Sequence, residues 1–186
     1  MRRWLKRAIL LSSLGALAAL DGCAPGGAFT FPDDPMVGKP APPFTFHSVH
    51  KRGFPSTNFL GKTLVLVFFR AGQPDLEVLL RELEAMHQDP VFSTVQFVAM
   101  GPEDDPLTEP FWVGLRNDLP IVLDFNGVAS RFGAGSLPMV VVSDYKGTVR
   151  LRLDGYLGAE FLPRFEATRK LIRQVEKERT QPKGAS

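Results

Sequence analysis

The sequence predicts an α/β fold with a central mixed β-sheet of about five strands and helices on both faces. Residues 64–69 form an apolar run that is rich in β-branched and aromatic types, which is typical of a strand buried on both faces. A helix is expected directly afterwards, over residues 74–87, and a second strand over residues 94–100. Because a helical crossover joins these two strands, we expect them to be parallel.

The remaining elements continue this alternation. Strands are expected at residues 44–49, 119–124, 137–144 and 148–153, a helical turn at 56–62, and short helices at 108–116 and 127–133. The strand at 148–153 reads as an edge strand with its arginines outward. A terminal helix is expected at 159–178, with an apolar face formed by Phe161, Leu162, Phe165, Ile172 and Val175. In the helix at 108–116 we expect Phe111, Trp112 and Leu115 to point inward.

The junction between the first central strand and its helix is where we expect the functional site. Ala71 and Gly72 end the strand, and Pro74 suits the first helical position, where a missing N–H costs nothing. Asp75 would face the positive end of the helix dipole. In α/β folds a helix start at the end of a central parallel strand commonly carries the chemistry.

Composition excludes several classes of function. The chain has 22 basic and 20 acidic residues, of which four basic residues and one acidic residue lie in the first 22 positions. The rest of the chain therefore has 18 basic and 19 acidic residues. That near-neutral balance leaves no basic field for nucleic acid, and a mixed solvated surface is the simpler interpretation. Cys23 is the single cysteine, so neither an intramolecular disulfide nor a cysteine-based metal cluster can form.

The first 22 residues read as a signal peptide. Arg2, Arg3, Lys6 and Arg7 precede an apolar run at 8–20 that is too short for a comfortable membrane span. The sequence from Leu20 to Cys23 then resembles a bacterial lipobox, although Asp21 departs from the usual small or apolar residue. The resemblance implies lipidation of Cys23; the alternative is an uncleaved anchor with an incidental cysteine.

These assignments give the expected domain organisation. Residues 1–22 are a lipoprotein signal peptide, 23–36 a lipidated flexible tether rich in Gly, Pro and Asp, 37–178 the folded domain and 179–186 a disordered tail. Ala24 follows the cysteine, so the sorting rule for such lipoproteins implies the periplasmic side of the outer membrane in a cell with two membranes. We expect a monomer in the bacterial cell envelope, anchored to the membrane through the lipid on Cys23.

Two segments resemble the redoxin superfamily, which joins membrane-tethered thiol–disulfide reductases with alkyl hydroperoxide reductase/thiol-specific antioxidant proteins. Residues 37–44, Val-Gly-Lys-Pro-Ala-Pro-Pro-Phe, are similar to its opening Gly-x-x-Ala-Pro-x-Phe segment, with Pro43 in place of the usual Asp. Residues 137–144 are similar to its Pro-x-x-x-x-x-Asp strand. The resemblance covers residues 37–175 and implies a thioredoxin-like fold in which Pro138 is a cis-proline at the active site.

The Cys-x-x-Cys motif of that superfamily is missing. Matching the helix hydrophobics places its two positions at Gln73 and Leu76, whereas a gapless register places them at Pro74 and Glu77. None of these side chains is a thiol, so none can form the thiolate that disulfide exchange requires. We therefore predict no catalytic residue and no cofactor. Gln73–Asp75 is either a plain helix-start turn or part of a binding site.

A metal site is not predicted either. His47, His50 and His87, with Met36, Met86, Met100 and Met139, show no spacing typical of metal ligands, and they read better as surface histidines and core methionines. No Ser/His/Asp constellation and no phosphate-binding glycine loop is present.

Two functional hypotheses remain, with a third behind them. The first is a non-catalytic module that binds or scaffolds an envelope protein or peptide in a groove of Gln73, Pro74, Leu137, Pro138 and Met139. In relatives the backbone before the cis-proline pairs with an extended substrate, and here that residue is Leu137. The second is a redoxin-family oxidoreductase that acts through a partner's cysteines. The third is a metal or small-ligand carrier that uses Met139 and a histidine.

Overall fold

A computed structural model describes residues 29–48, 53–115, 118–124, 126–155, 158 and 160–181. Seven strands form one mixed sheet in the order β2-β1-β5-β4-β3-β6-β7. Their bounds are β1 Thr45–Ser48, β2 Gly53–Pro55, β3 Thr63–Phe68, β4 Val95–Pro102, β5 Ile121–Asp124, β6 Met139–Ser143 and β7 Val149–Leu153. The helices are α1 Leu76–Gln88, α2 Thr108–Leu115, α3 Val128–Arg131 and α4 Phe161–Thr180, with 3-10 turns at Ser56–Phe59 and Pro90–Phe92.

The predicted fold class is confirmed. The five strands from β5 to β7 are the expected mixed sheet, and the hairpin of β1 and β2 extends it to seven. Strands β3 and β4 are parallel, as the helical crossover requires, while β6 pairs antiparallel with β3. Strand β7 lies at the sheet edge, as expected.

Strand β3 separates two hydrophobic cores. Val65, Val67 and Phe69 point to one side, where they pack with apolar residues of α1 and α4. Leu64, Leu66 and Phe68 point to the other side, toward α3 and Phe132. Because successive strand residues face opposite ways, this uninterrupted apolar run fills both cores at once.

The start of α1 differs from the sequence prediction. The helix begins at Leu76, not at Pro74, and its N-cap is Asp75, which adopts the left-handed conformation with φ of 59°. Pro74 therefore lies in the turn before the helix, and the acidic residue in the first turn is Glu77. A positive φ is uncommon for a residue other than glycine because it costs conformational free energy. We therefore infer that contacts with the surrounding structure stabilise this turn.

The apolar face of α4 was predicted only in part. Phe165, Ile172 and Val175 are buried and Phe161 is half-buried, but Leu162 is 67% exposed. Thr168 is buried instead, with its hydroxyl donating to the Arg164 carbonyl at 2.8 Å. In α2, Phe111 packs on Phe69, whereas the side chains of Trp112 and Leu115 lie outside the described set.

Residues 29–36 were predicted to be flexible tether, and this prediction is wrong for these positions. Phe31 packs against the α1/α4 core and Met36 against the other core. Asp34 forms an ion pair with Arg152 of β7 at 2.5 Å, and Gly38 N–H donates to the Val149 carbonyl at 2.8 Å. These contacts tie residues 29–36 to the folded domain.

The sequence predicted that the β7 arginines point outward into solvent, but the structure shows otherwise. Both are half-buried. Arg150 pairs with Glu178 of α4 at 2.7 Å, while Arg152 bridges Asp34 and Asp154. These two side chains fasten the end of α4 and the N-terminal segment to the edge strand.

Two leucine-to-alanine changes test the burial assignments. Leu80→Ala removes a side chain with no exposed surface, so we expect it to lower the free energy of unfolding by about 2–5 kcal/mol. Leu162→Ala makes the same chemical change at an exposed position of α4 and should cost about 0.5 kcal/mol or less. Urea denaturation of both variants measures the difference; equal losses would contradict the described α4 packing.

Glu176 predicts a pH dependence of stability. Burial raises the pKa of this carboxyl, but donors from Thr63 (2.5 Å), Thr94 and Arg179 outweigh burial and hold its pKa below the usual 4.5. A lowered pKa stabilises the fold above pH 4.5, and that stabilisation is lost as the pH falls through the folded-state value.

We therefore expect Glu176→Gln to reduce the free energy of unfolding at pH 7, and we expect this penalty to shrink as the pH is lowered below 4.5. Glu82→Gln, at an exposed position of α1, is the control and should show little effect at either pH. A Glu176→Gln penalty that persists unchanged at pH 3 would contradict this role of the carboxylate.

Candidate functional site

A groove lies where β3 ends and β6 begins. It has a volume of about 340 Å³ and is lined by Gln73, Pro74, Asp75, Leu137, Pro138, Gly155 and Gly158. The antiparallel pairing of Phe68 with Met139 brings the turn before α1 beside the segment before β6. The predicted groove residues Gln73, Pro74, Leu137 and Pro138 are therefore brought together, at the strand–helix junction where the sequence placed the site.

The peptide bond between Leu137 and Pro138 is cis, as the sequence resemblance implied. Pro138 is buried and Leu137 is half-buried. The backbone before the proline thus lies at the groove, next to the Gln73 turn.

Met139 was predicted to line the groove, and this prediction is wrong. Its side chain has no exposed surface and belongs to the core on the α3 side of the sheet. It follows Pro138 as the first residue of β6, where its side chain points away from the groove surface. A ligand in the groove does not meet its sulfur.

The Gln73 side chain forms a clasp across the groove floor. Its Oε1 accepts from the Arg70 N–H at 3.0 Å, and its Nε2 donates to the Leu137 carbonyl oxygen at 2.6 Å. One amide therefore ties the turn after β3 to the residue before the cis-proline. An amide suits this task because it offers an acceptor and a donor on one planar group.

The Leu137 N–H, in contrast, has no acceptor within the described part of the chain. Its carbonyl still has a second lone pair beyond the one that Gln73 uses. The groove therefore offers an incoming backbone one unused donor and one partly used acceptor.

Burial distinguishes the two registers in which the Cys-x-x-Cys motif of the redoxin superfamily could be aligned with this chain. Gln73 is half-buried and Leu76 has no exposed surface, so this pair places one position at the groove and one beneath it. Pro74 and Glu77 of the gapless register are both exposed. Neither pair brings a nucleophile to the groove.

Two arginines that sequence reasoning missed order the groove rim. Arg164 donates to the Gly155 carbonyl at 2.9 Å and to Glu160 at 2.6 Å, which fastens the start of α4 beside the groove. Arg152 donates to the Phe132 and Gly133 carbonyls and so orders the segment that leads to Leu137. The alternation of apolar and polar residues in β7 had predicted that Arg152 points outward. Arg164 belongs to no recognisable sequence motif.

The described histidine and methionine side chains do not converge. His87 is half-buried with its ring edge-on to Phe97 at 5.9 Å, whereas Met86 and Met100 are buried in different cores. The His47 side chain, His50 and Cys23 lie outside the described set. In the described ranges, no group of three or more His, Cys, Asp or Glu residues could hold a metal ion.

No helix among the described residues is both long enough and apolar enough to cross a membrane. The longest, α4, has 20 residues and carries charged residues along its length.

Neither a protein-family model nor a curated protein sequence matches the chain. Solved structures do match. A protein assigned as thiol:disulfide interchange protein DsbE from Chlorobium tepidum is 17% identical over 75% of this chain and 96% of that chain, with a TM-score of 0.66.

Two further structures are similar at the same level. The thioredoxin domain of a thiol-disulfide oxidoreductase from Bacteroides vulgatus is 15% identical, covering 73% of this chain and 97% of that chain, with a TM-score of 0.60. The exposed lipoprotein thioredoxin from Streptococcus pneumoniae is 15% identical, covering 72% and 99%, with a TM-score of 0.59. The protein thus has a thioredoxin-like fold, with a glutamine clasp at the junction where the redoxin resemblance implied a cysteine.

Proposed function

We propose that this protein is a lipid-anchored thioredoxin-fold module of the bacterial cell envelope that binds an extended polypeptide without thiol chemistry. The observation that carries the proposal is the groove itself. Among the described residues, the Leu137 N–H has no acceptor, the groove walls are largely apolar, and no side chain that lines the groove can attack sulfur.

Binding would follow strand addition. The partner's carbonyl accepts from the Leu137 N–H, while its own N–H shares the Leu137 oxygen with Gln73 or displaces the Gln73 amide. Gly155 and Gly158 have no side chains and leave room for a second backbone, and the rings of Pro74 and Pro138 supply apolar surface.

The absence of a nucleophile separates this role from that of an oxidoreductase. Disulfide exchange and peroxide reduction both begin with a thiolate, and neither an amide nor a buried leucine can supply one. The oxidoreductase alternative, in which the chain acts through a partner's cysteines, is favoured only by the fold likeness to proteins named as thiol-disulfide oxidoreductases.

The proposed location rests on the N-terminal sequence. The Leu20–Cys23 pattern and the basic and apolar segments before it support acylation of Cys23, which would anchor the chain stably. A similar fold occurs in an exposed lipoprotein thioredoxin. We place the domain on the periplasmic side of the outer membrane if the cell has two membranes.

Partner capture tests the binding role. Chemical crosslinking in intact membranes should copurify a specific protein with the full chain, and Leu137→Arg should abolish the capture because it puts a bulky charge at the groove. Leu60→Arg is the matched control, since Leu60 is 59% exposed and precedes β3 at the other end of the sheet. Capture that survives Leu137→Arg, or that Leu60→Arg removes equally, would contradict the groove as the binding surface.

Restoring the motif tests both the register and the lack of activity. In a Cys23→Ser background, the unmodified domain should neither reduce a disulfide substrate nor consume peroxide above background. Gln73→Cys/Leu76→Cys should gain disulfide reductase activity, because the first thiol would lie at the groove beside the start of α1.

Pro74→Cys/Glu77→Cys is the control for the gapless register and should gain less. Disulfide or peroxide reduction by the cysteine-free domain would overturn the non-catalytic proposal, and greater gain by the control pair would overturn the register.

A further inference from the structure

The described part of the N-terminal segment begins at the groove end of the sheet. The Phe29 ring lies 5.6 Å from the Arg164 guanidinium and 5.5 Å from the Phe31 ring. Arg164 in turn donates to the Gly155 carbonyl, and Gly155 lines the groove. Two successive contacts therefore connect the first described residue to the groove rim.

The course of the following residues confirms this direction. Asp34 pairs with Arg152 near the end of β7, and Gly38 then pairs with Val149 at its start. The segment thus runs along the edge strand from the groove end toward the opposite end. Followed backwards, the described segment ends at Phe29, beside the groove rim.

Little chain remains between Phe29 and the proposed lipid. Five residues, 24–28, separate it from Cys23. Fully extended, that stretch reaches about 20 Å. The opposite end of the sheet lies one β3 length farther away, roughly another 20 Å at the rise of a strand.

We propose that the anchor holds the groove on the membrane side of the domain, and that the groove's occupant is a juxtamembrane segment of another membrane-anchored protein. This inference rests on the proposed lipidation of Cys23 and the proposed binding role. Because residues 24–28 form a short tether, the groove rim stays close to the bilayer surface. A polypeptide that is not near the membrane would instead approach the opposite end of the domain.

The surface charge provides a competing orientation. Lys39, Lys62 and Lys146 lie at the opposite end of the sheet and would be attracted to anionic lipid. Neutral vesicles remove that attraction, so an orientation observed there is due to the tether.

Energy transfer to the bilayer tests the orientation. The lipidated full chain is reconstituted in phosphatidylcholine vesicles that carry an acceptor on the headgroup, with a donor dye on Glu77→Cys at the groove end or Lys62→Cys at the other end. We expect higher transfer from position 77, by about twofold or more. A 20-residue Gly/Ser insertion after Gly27 should reduce transfer from position 77 toward the position 62 value.

Equal or higher energy transfer from position 62 with the native tether would overturn the proposed orientation of the groove, but not the lipid anchor. Failure of the chain to float with the vesicles would overturn the anchor itself, and with it the membrane-side placement.

The occupant is tested separately, with a photo-crosslinking residue at exposed Ser136 beside Gly155 in whole cells. We expect adducts with a protein that has its own membrane anchor, and a yield that falls severalfold with the lengthened tether. Adducts only with unanchored proteins, at a yield that the insertion does not change, would overturn the juxtamembrane occupant. A complete absence of adducts would instead contradict the proposed binding role.

Discussion

The burial of β3 on both faces is the constraint on which the rest of the structure depends. Each side chain from Thr63 to Phe69 is buried, and alternate residues pack into different cores. Helices must therefore cover both sides of the sheet, and β4 and β6 must pair on both edges of β3. The chain first becomes exposed just beyond the C-terminal end of this strand, at Arg70, and the groove lies beside that turn.

At that place a side-chain amide performs a purely structural task. Gln73 links Arg70 N–H to the Leu137 carbonyl, so two segments far apart in sequence keep a fixed separation without a covalent bond. The two hydrogen bonds together are worth about 1–3 kcal/mol, enough to favour one arrangement but weak enough for a partner's backbone to compete. The groove can thus be ordered when empty and still accept a strand.

The order of the strands and helices could be predicted because long apolar runs mark these elements and Gly and Pro residues mark their ends. The fold class and the β3–β4 pairing were reached in this way, whereas the cis bond at Pro138 was implied by the resemblance to the redoxin superfamily. The start of α1 was missed because Asp75 adopts a left-handed conformation, which is uncommon for any residue other than glycine. Leu162 was misplaced because apolar identity alone does not decide which side of a helix is covered.

Long-range contacts account for the other misses. Residues 29–36 look like a linker in composition, yet Phe31 and the Asp34–Arg152 pair bind them to the domain. The resemblance aligned Gln73 with a cysteine of the redoxin superfamily, but only the three-dimensional structure reveals its hydrogen-bond partner at Leu137, 64 residues away. Met139 follows the same logic: its place beside Pro138 suggested the groove, while the strand pleat turns it into the core.

Gln73 closes the site with a hydrogen-bonded clasp between the Arg70 N–H and the Leu137 carbonyl. Solution NMR of the Gln73 side-chain amide protons tests this clasp most directly. We expect two separate Gln73 resonances whose exchange with water is slowed, with a through-hydrogen-bond coupling to the Leu137 carbonyl carbon. Exchange at the rate of a free glutamine side chain, with no such coupling, would contradict it.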